Sequence, residues 1–369
     1  MNRPNGVATG MEGPPGAHIV FTGRRYLYFG GTGYFGLHGH PALVRAGIRA
    51  FRRYGTHGAT SRAGFGSNPV LLDVEARLRE FFGQDDAVYF GSGYLGSLIL
   101  VQTLAKKFDV VFVDENAHFC IRDAAASPGK PVHLFRHRDP EDLVKKLRTG
   151  LKPRQRPLLL SDGVFPVSGR IAPARDYAEA IAAYDGIIGL DDAHGTGVLG
   201  DRGRGTYEYF RMHGPRLYFV GTLSKAFGGH GGFAAGKRSH IGRVRAAGAY
   251  IGSTPTPTPI AAASAKGIEI LCRHPEMRDR LRRNTARLKK GLRELGVAAD
   301  DTPVPIVALS LKTEREMRGV QKDLLRRGIA VPYLKYAGAP PAGVLRLAVF
   351  STHTASEIRQ LLDELAKVL

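Results

Sequence analysis

Four apolar runs in the middle of the chain predict buried strands. They are Val110–Val113, Leu158–Leu160, Ile187–Leu190 and Leu217–Val220. Runs without polar alternation are typical of strands that are covered on both faces. Amphipathic segments such as Asp142–Leu147 and Asp176–Tyr184 separate them and favour helices. This alternation predicts βαβ units and an α/β fold with a mostly parallel sheet.

Polar residues follow directly after the predicted strands. They are Asp114, Ser161–Asp162, Asp191–Asp192 and Thr222. In an open α/β sheet, ligands bind at the carboxyl ends of the strands. We therefore expect the functional site where these strand ends meet.

The last third of the chain predicts a smaller α+β domain. The segment Ile251–Pro259 reads IGSTPTPTP, and its prolines cannot continue a helix or a central strand. A basic helix is expected at about Glu276–Leu295, with short strands near Ile306–Leu309 and Val344–Val349 and a capping box at Thr354–Glu357. We predict an N-terminal arm with part of the small domain (1–45), a large domain (46–258) and a small C-terminal domain (259–369).

Composition limits the class of protein. The chain has 369 residues, and no apolar run approaches the length of about 18 residues that indicates a membrane span. Residues Met1 to about Ile19 are rich in Gly and Pro and lack the features of a signal peptide, so they predict a flexible arm. Two cysteines, Cys120 and Cys272, are too few for a disulfide framework. A cytoplasmic protein is expected.

The chain is strongly basic. It has 53 Lys and Arg against 33 Asp and Glu, a net charge of +20. A solvated basic surface explains this without any function. The functional alternatives are an anionic substrate, an acidic partner protein or nucleic acid. Nucleic acid is the weakest of these, because zinc-finger spacing, long basic runs and strands with interleaved aromatic residues are missing from the sequence.

The sequence does not support three simpler interpretations, namely a dinucleotide-binding motif, a Walker A loop and a zinc site. Gly31–Gly36 matches GxGxxG after a strand-like Tyr26–Phe29, but the acidic residue expected about 20 positions later is missing. Gly221–Lys225 lacks the features of a phosphate-binding Walker A loop. Four scattered histidines have no zinc-ligand spacing, so we expect no metal site; they are His38, His40, His133 and His137.

Two segments together point to pyridoxal 5'-phosphate (PLP). In IIGLDDAHG (Ile187–Gly195), a buried strand ends on an acid and a histidine follows three positions later. In GTLSKAFGG (Gly221–Gly229), a lysine follows a strand end among glycines, which leave room for a planar ligand. A lysine for a Schiff base and a carboxylate for the pyridinium nitrogen are what PLP requires.

From about Tyr26 to the C-terminus the chain resembles the α-oxoamine synthase family. The family includes aminooxononanoate synthase, aminoketobutyrate ligase, aminolevulinate synthase and serine palmitoyltransferase. The motifs that carry the resemblance are YFGLHGHP (34–41), YGTHGATSR (54–62), FGSGY (90–94), DENAH (114–118), DGVF (162–165), DDAHGTGVLG (191–200), TLSKAFGG (222–229) and LRLAVFSTHT (345–354). It implies a PLP-dependent fold type I enzyme, similar to aspartate aminotransferase, with PLP in the large domain.

The resemblance also implies roles for individual residues. Lys225 would form the Schiff base with PLP, and Asp191 would pair with the pyridine nitrogen. His194 would hydrogen-bond the phenolic oxygen, and His118 would stack on the ring. The implied phosphate contacts are Gly93, Tyr94 and Thr222, with Ser253 and Thr254 donated by the other subunit of a homodimer. Arg346 would bind the amino-acid carboxylate, and Thr32, near the position of an Asn that helps to hold the substrate in the family, would be a second substrate contact.

The chain departs from the family pattern near the substrate. Thr32 and Gly33 replace the usual Asn region, and Pro166–Gly169 replaces Ser-Met-Asp-Gly. Leu71 replaces a usual His, and Gly96-Ser97 replaces Ala-Asn. Cofactor residues are kept while substrate-side residues change, which predicts the same chemistry on a different amino acid or acyl donor.

We therefore expect a homodimeric PLP-dependent acyltransferase with its active site at the subunit interface. It would condense a small α-amino acid with an acyl thioester, with loss of carbon dioxide as in most of the family, to give an α-aminoketone. The donor would be acyl-CoA or acyl carrier protein, and the basic surface favours the acidic carrier protein. The alternatives are an aminotransferase or aldolase of the same fold, a non-catalytic subunit and a nucleic-acid-binding module; a membrane partner is not expected.

Overall fold

The computed structural model describes residues 10–369, so the first nine residues of the predicted arm lie outside it. The strands are β1 Met11–Glu12, β2 His18–Phe21, β3 Arg24–Tyr28, β4 Asp86–Phe90, β5 Val110–Asp114, β6 Val132–Phe135, β7 Pro157–Asp162, β8 Ile187–Asp191, β9 Leu217–Thr222, β10 Gly232–Gly236, β11 Ile306–Leu309, β12 Ile329–Ala330, β13 Tyr333–Leu334 and β14 Val344–Ala348. The helices are α1 Pro41–Tyr54, α2 Pro69–Phe82, α3 Leu95–Leu104, α4 Phe119–Ala126, α5 Pro140–Gly150, α6 Ala174–Ala182, α7 Thr206–Tyr209, α8 Arg238–Arg245, α9 Gly248–Ile251, α10 Thr258–Arg273, α11 Glu276–Glu294, α12 Glu314–Arg326 and α13 Ala355–Leu365. Residues Arg62–Gly66 form an irregular turn in which Phe65 has a φ of +73°.

The large sheet has seven strands in the order β4-β10-β9-β8-β7-β5-β6. Strands β9, β8, β7, β5 and β6 run parallel, and β10 is antiparallel to both of its neighbours. The four apolar runs of the sequence are strands β5, β7, β8 and β9. The predicted α/β fold with a mostly parallel sheet is therefore confirmed.

Both faces of the large sheet are covered, which explains the unbroken apolar runs. On one face, Val111 and Val113 of β5 pack in a core with residues of α3 and α4. On the other face, Val110 and Phe112 pack in a core with residues of α5 and α6. Alternate residues of a strand point to opposite faces, so each residue must be apolar when both faces carry helices.

Two smaller sheets lie outside the large one. Strands β11-β14-β13 form an antiparallel sheet, and β1-β2-β3-β12 form a second sheet. The N-terminal prediction differs from the structure here: Met11–Glu12 pairs with Val20–Phe21, so this part of the arm is ordered. Helix α13 begins with the predicted capping box, in which Thr354 and Glu357 cap each other's backbone N–H groups.

The proline-rich break is followed by a helix, α10, that is not among the elements predicted from the sequence. Residues 252–257 are not helical, and α10 then begins at Thr258-Pro259, where proline in the first turn lacks only an N–H group that would have no partner in the helix. Helix α10 packs against α1 and α2. The three-part division at residues 45 and 258 stays a prediction. Within residues 10–369, no helix is both long and apolar enough to cross a membrane.

Candidate active site

Two buried carboxylates lie side by side at the carboxyl end of the large sheet. Asp162 is the last residue of β7 and Asp191 the last of β8, and the two are direct partners in the parallel register. Their exposed fractions are 4% and 8%. Burial and the neighbouring Asp191 carboxylate raise the pKa of Asp162 well above its usual value. The register of β7 and β8 thus places two buried acids side by side, and Asp162 is the one that favours its protonated form.

Lys225 lies on the turn after β9, beside this pair. The turn is held by Thr222, whose hydroxyl donates to the Gly231 carbonyl at 2.8 Å and accepts from the Ser224 N–H at 3.2 Å. Burial lowers the pKa of the Lys225 amine to about 8, against the attraction of Asp191 and Asp162. A substantial fraction of the amine is therefore neutral near physiological pH and can act as a nucleophile or base.

His118 and Cys120 connect helix α4 to the carboxylates. The His118 N–H donates to Asp162 Oδ2 at 2.9 Å, and its Nδ1 caps α4 by accepting from the Cys120 N–H at 3.2 Å. The Cys120 thiol donates to Asp191 Oδ2 at 3.3 Å. Burial lowers the pKa of His118, with Lys225 adding to the effect and Asp191 opposing it. This arrangement places an imidazole ring next to Asp191, as stacking on PLP would require.

His194 follows Asp191 and lies against Tyr34. The Tyr34 hydroxyl is 2.6 Å from His194 Nδ1, and both side chains are buried. Burial and the positive charges of Lys225 and Arg346 lower the pKa of His194 well below its usual value. The imidazole is therefore neutral at physiological pH, with one ring N–H to donate.

A backbone cradle for an anion lies at the start of helix α3. Gly93 and Tyr94 directly precede the helix, where backbone N–H groups have no partner within the helix and favour negative charge. A Cβ on Gly93 would come within 2.9 Å of the Thr222 side chain, so only glycine allows this close approach. The Gly93 amide fits a phosphate, Asp191 fits a pyridine nitrogen and Lys225 fits an aldehyde. The Tyr94 N–H donates to Ser92 Oγ at 3.2 Å and the Thr222 hydroxyl to the Gly231 carbonyl, so these two donors would have to exchange their partners for the phosphate. These residues fit PLP.

Arg346 lies on β14 with only 4% of its surface exposed. Its Nε donates to the Pro166 carbonyl at 2.7 Å and its Nη1 to the Gly31 carbonyl at 2.8 Å. Its Nη2 is buried and has no hydrogen-bond partner among the described residues. Thr32, the predicted substrate contact, follows Gly31 and is partly buried. A buried guanidinium with a free donor is suited to an anionic ligand such as a carboxylate.

Within residues 10–369, the side chains of Ser253 and Thr254 form no hydrogen bond with this group of residues. The Ser253 hydroxyl donates to the Tyr250 carbonyl at 3.1 Å. Thr254 is exposed, and its carbonyl lies 3.1 Å from the position of a Cβ on Gly91. Their predicted contact with a phosphate bound to the partner subunit stays a prediction.

Four residues of the site have no role that the sequence alone indicates. The position of Asp162 after a predicted strand identifies it only as a polar residue at a strand end. Tyr34, Cys120 and Tyr336 reach their site partners across 160, 71 and 218 positions of the chain, respectively. Tyr336 has its hydroxyl 2.8 Å from His118 Nε2. No spacing in the sequence could have revealed these pairs, because only folding brings them together.

Comparison with known proteins gives one consistent result. The model of the aminotransferase class I and II family matches residues 31–365. The 8-amino-7-oxononanoate synthase of Nitrosococcus oceani is 33% identical over 97% of this chain and 96% of its own length. Sphingomonas wittichii serine palmitoyltransferase (SPT) has a TM-score of 0.91 at 27% identity, covering 98% of this chain and 92% of its own. A structure of SPT with its PLP internal aldimine gives the same TM-score and coverage at 29% identity.

Proposed function

This chain belongs to the α-oxoamine synthase family of PLP enzymes, and we propose that it joins a small α-amino acid to the acyl group of a thioester, with release of the thiol. Loss of carbon dioxide would then give an α-aminoketone. The observation that carries the proposal is the grouping of the Lys225 amine, the Asp191 carboxylate and the free Arg346 donor at one end of the large sheet. Bound PLP supplies an electron sink that stabilises a carbanion at the α-carbon of the amino acid.

Lys225 is the residue placed to move the proton of the α-carbon. Because its pKa is lowered to about 8, its Nζ can be neutral and accept a proton near physiological pH. His194 stays neutral and can donate one N–H to an oxygen of the cofactor. Asp191 accepts from the Cys120 thiol and from the Ala193 N–H at 3.1 Å, which hold its carboxylate at the strand end.

Arg346 is the residue placed to hold the amino acid. Two of its donors are occupied by the Pro166 and Gly31 carbonyls, which fix the guanidinium plane. The free Nη2 would donate to the substrate carboxylate in a charge-assisted hydrogen bond. The segments that depart from the family pattern provide both carbonyls, from Pro166 and from Gly31 beside Thr32, so we infer that they adjust which amino acid fits.

The acyl donor that best suits the surface is an acyl carrier protein. A net charge of +20 attracts an acidic partner and accelerates its association at low salt. The test is kinetics with matched acyl-CoA and acyl-carrier-protein donors over a range of salt. We expect the carrier protein to give the higher kcat/KM at low salt and the steeper loss as salt rises. Equal rates and equal salt dependence would contradict this choice of donor.

We infer that the protein is a homodimer. Val44, Ile48 and Phe51 lie on one face of α1, at helical spacing, and are about half exposed. The predicted phosphate contacts from Ser253 and Thr254 of the partner subunit also require a second copy of the chain. Light scattering of Ile48→Asp should show a monomer, while Leu134→Asp, an exposed residue of the sheet-edge strand β6, should leave the dimer intact. A cytoplasmic location stays a prediction.

The test of the reaction combines absorbance with thiol release. The purified protein is loaded with PLP, and amino acids and then acyl thioesters are added one at a time. We expect one small amino acid to change the visible absorbance, and thiol release only when that amino acid and the thioester are both present. Bleaching by the amino acid alone without thiol release would indicate an aminotransferase. Failure to bind PLP would refute the proposal.

A further inference from the structure

A buried hydrogen bond joins the N-terminal part of the chain to His194. Tyr34 lies in the turn between β3 and α1, its side chain is fully buried, and its hydroxyl is 2.6 Å from His194 Nδ1. His194 itself is 5% exposed. Among the described residues, Nε2 of the same ring makes no hydrogen bond, so it is the nitrogen available to a ligand.

The neighbours of the two rings decide which of the two atoms donates. Burial and the charges of Lys225 and Arg346 keep His194 neutral, so its ring carries a single proton. Burial raises the pKa of Tyr34 to about 12, so its hydroxyl keeps the proton, and within residues 10–369 this hydroxyl has no hydrogen-bond partner other than His194. The buried tyrosine proton would be left without an acceptor if it did not point at His194 Nδ1, so the hydroxyl donates and Nδ1 accepts.

We propose that Tyr34 is a positioning residue, which donates to Nδ1 of His194 and so holds the ring proton on Nε2. His194 then presents an N–H donor, rather than a lone pair, to the oxygen of a bound cofactor. The role toward the cofactor rests on the proposed function, whereas the position of the proton does not.

The first test is nitrogen NMR of the cofactor-free protein with ¹⁵N-labelled histidine, in which His194→Gln identifies the signals of His194. We expect Nε2 to carry the proton and Nδ1 to be the acceptor in the wild-type protein. In Tyr34→Phe, which removes only the hydroxyl, the ratio of the Nε2–H to the Nδ1–H form should fall about 3- to 10-fold, the usual net effect of one hydrogen bond. The control is Tyr177→Phe, which removes a buried hydroxyl that donates to Asp114 at 3.2 Å; it should leave the His194 signals unchanged.

The second test measures the dissociation constant of PLP by absorbance. We expect it to rise about 3- to 10-fold in Tyr34→Phe and to stay the same in Tyr177→Phe. A proton on Nδ1 in the wild type, or unchanged His194 signals in folded Tyr34→Phe, would overturn the proposal. If the wild-type protein does not bind PLP, the proposed function fails, while the NMR result still decides the role of Tyr34. Lower thermal stability with an unchanged tautomer would show that Tyr34 is only structural.

Discussion

The two sides of the site are built in different ways. We call Asp162, Asp191, Thr222 and Lys225 the floor, and Gly31, Thr32, Pro166 and Arg346 the wall. The floor comes from the ends of β7, β8 and β9, which are neighbours in one parallel sheet. The wall comes from three segments far apart in the chain and is held by hydrogen bonds from Arg346 across 180 and 315 positions.

This difference explains where the chain keeps the family pattern and where it departs from it. Residues of the floor are placed by strand register, so the same short motifs give the same geometry. Residues of the wall are placed by long-range packing, and backbone carbonyls rather than side chains hold the arginine. Since a carbonyl survives a change of side chain, Pro166 can differ from the family, and so can Thr32 next to Gly31, while Arg346 stays in position.

The largest effect should come from removing the amine of the floor. For Lys225→Ala we expect kcat to fall at least about 1000-fold, because both the covalent attachment of PLP and the base are lost. The measurements are steady-state thiol release and the visible absorbance of the PLP-loaded protein. Lys237→Ala, at an exposed position, is the control and should behave as the wild type. Near-normal turnover by Lys225→Ala would disprove the assignment of the floor.

A change in the wall should affect the substrate and spare the cofactor. For Arg346→Lys we expect kcat/KM for the amino acid to fall about 10- to 150-fold, the value of one charge-assisted hydrogen bond, because lysine lacks the planar fork. The dissociation constant of PLP should change less than 3-fold, by about the range of a surface substitution. The exposed Arg318→Lys is the control. If the affinity for PLP falls by the same factor as kcat/KM for the amino acid, Arg346 supports the cofactor as well as the substrate, and the floor and the wall do not act independently.

The pH dependence of PLP capture tests the electrostatics of the floor. The neutral amine reacts, and its pKa is lowered to about 8, so the rate of covalent capture by cofactor-free protein should rise about 10-fold per pH unit below 8 and level off above it. A simple lysine derivative serves as the control, with its midpoint near the ordinary value of 10.5. A midpoint near that value in the protein would show that burial does not shift this amine.

The smallest effect should come from the thiol beside Asp191. For Cys120→Ala we expect the dissociation constant of PLP to rise about 3- to 10-fold, because Asp191 loses one hydrogen-bond donor. Cys120→Ser keeps a donor and should recover most of the affinity. The matched control is Cys272→Ala, at the exposed cysteine. If Cys120→Ala and Cys120→Ser bind PLP with equal affinity, the Cys120 thiol only fills space beside Asp191 and its hydrogen bond does not support the carboxylate.

Much of this protein was determined by local sequence. The apolar runs of β5, β7, β8 and β9 predicted a mostly parallel sheet, because a strand between two layers of helices must be apolar at every position. The polar residues at the ends of these strands also predicted the position of the floor, because the carboxyl ends of parallel strands lie at the same edge of the sheet. The capping box at Thr354 and the strand Ile306–Leu309 were also readable, since both depend on neighbours within a few residues.

Only the tertiary structure decided the contacts that cross the chain. Pairing of Met11–Glu12 with β2, the packing of α10 on α1 and α2, and the link from Tyr336 to His118 leave no periodic signal in the sequence. The bond between Tyr34 and His194, and the two carbonyls that hold Arg346, depend in the same way on packing between distant segments. A hydrogen bond requires atoms within about 3 Å, and residues distant in sequence reach that distance only once the cores are formed.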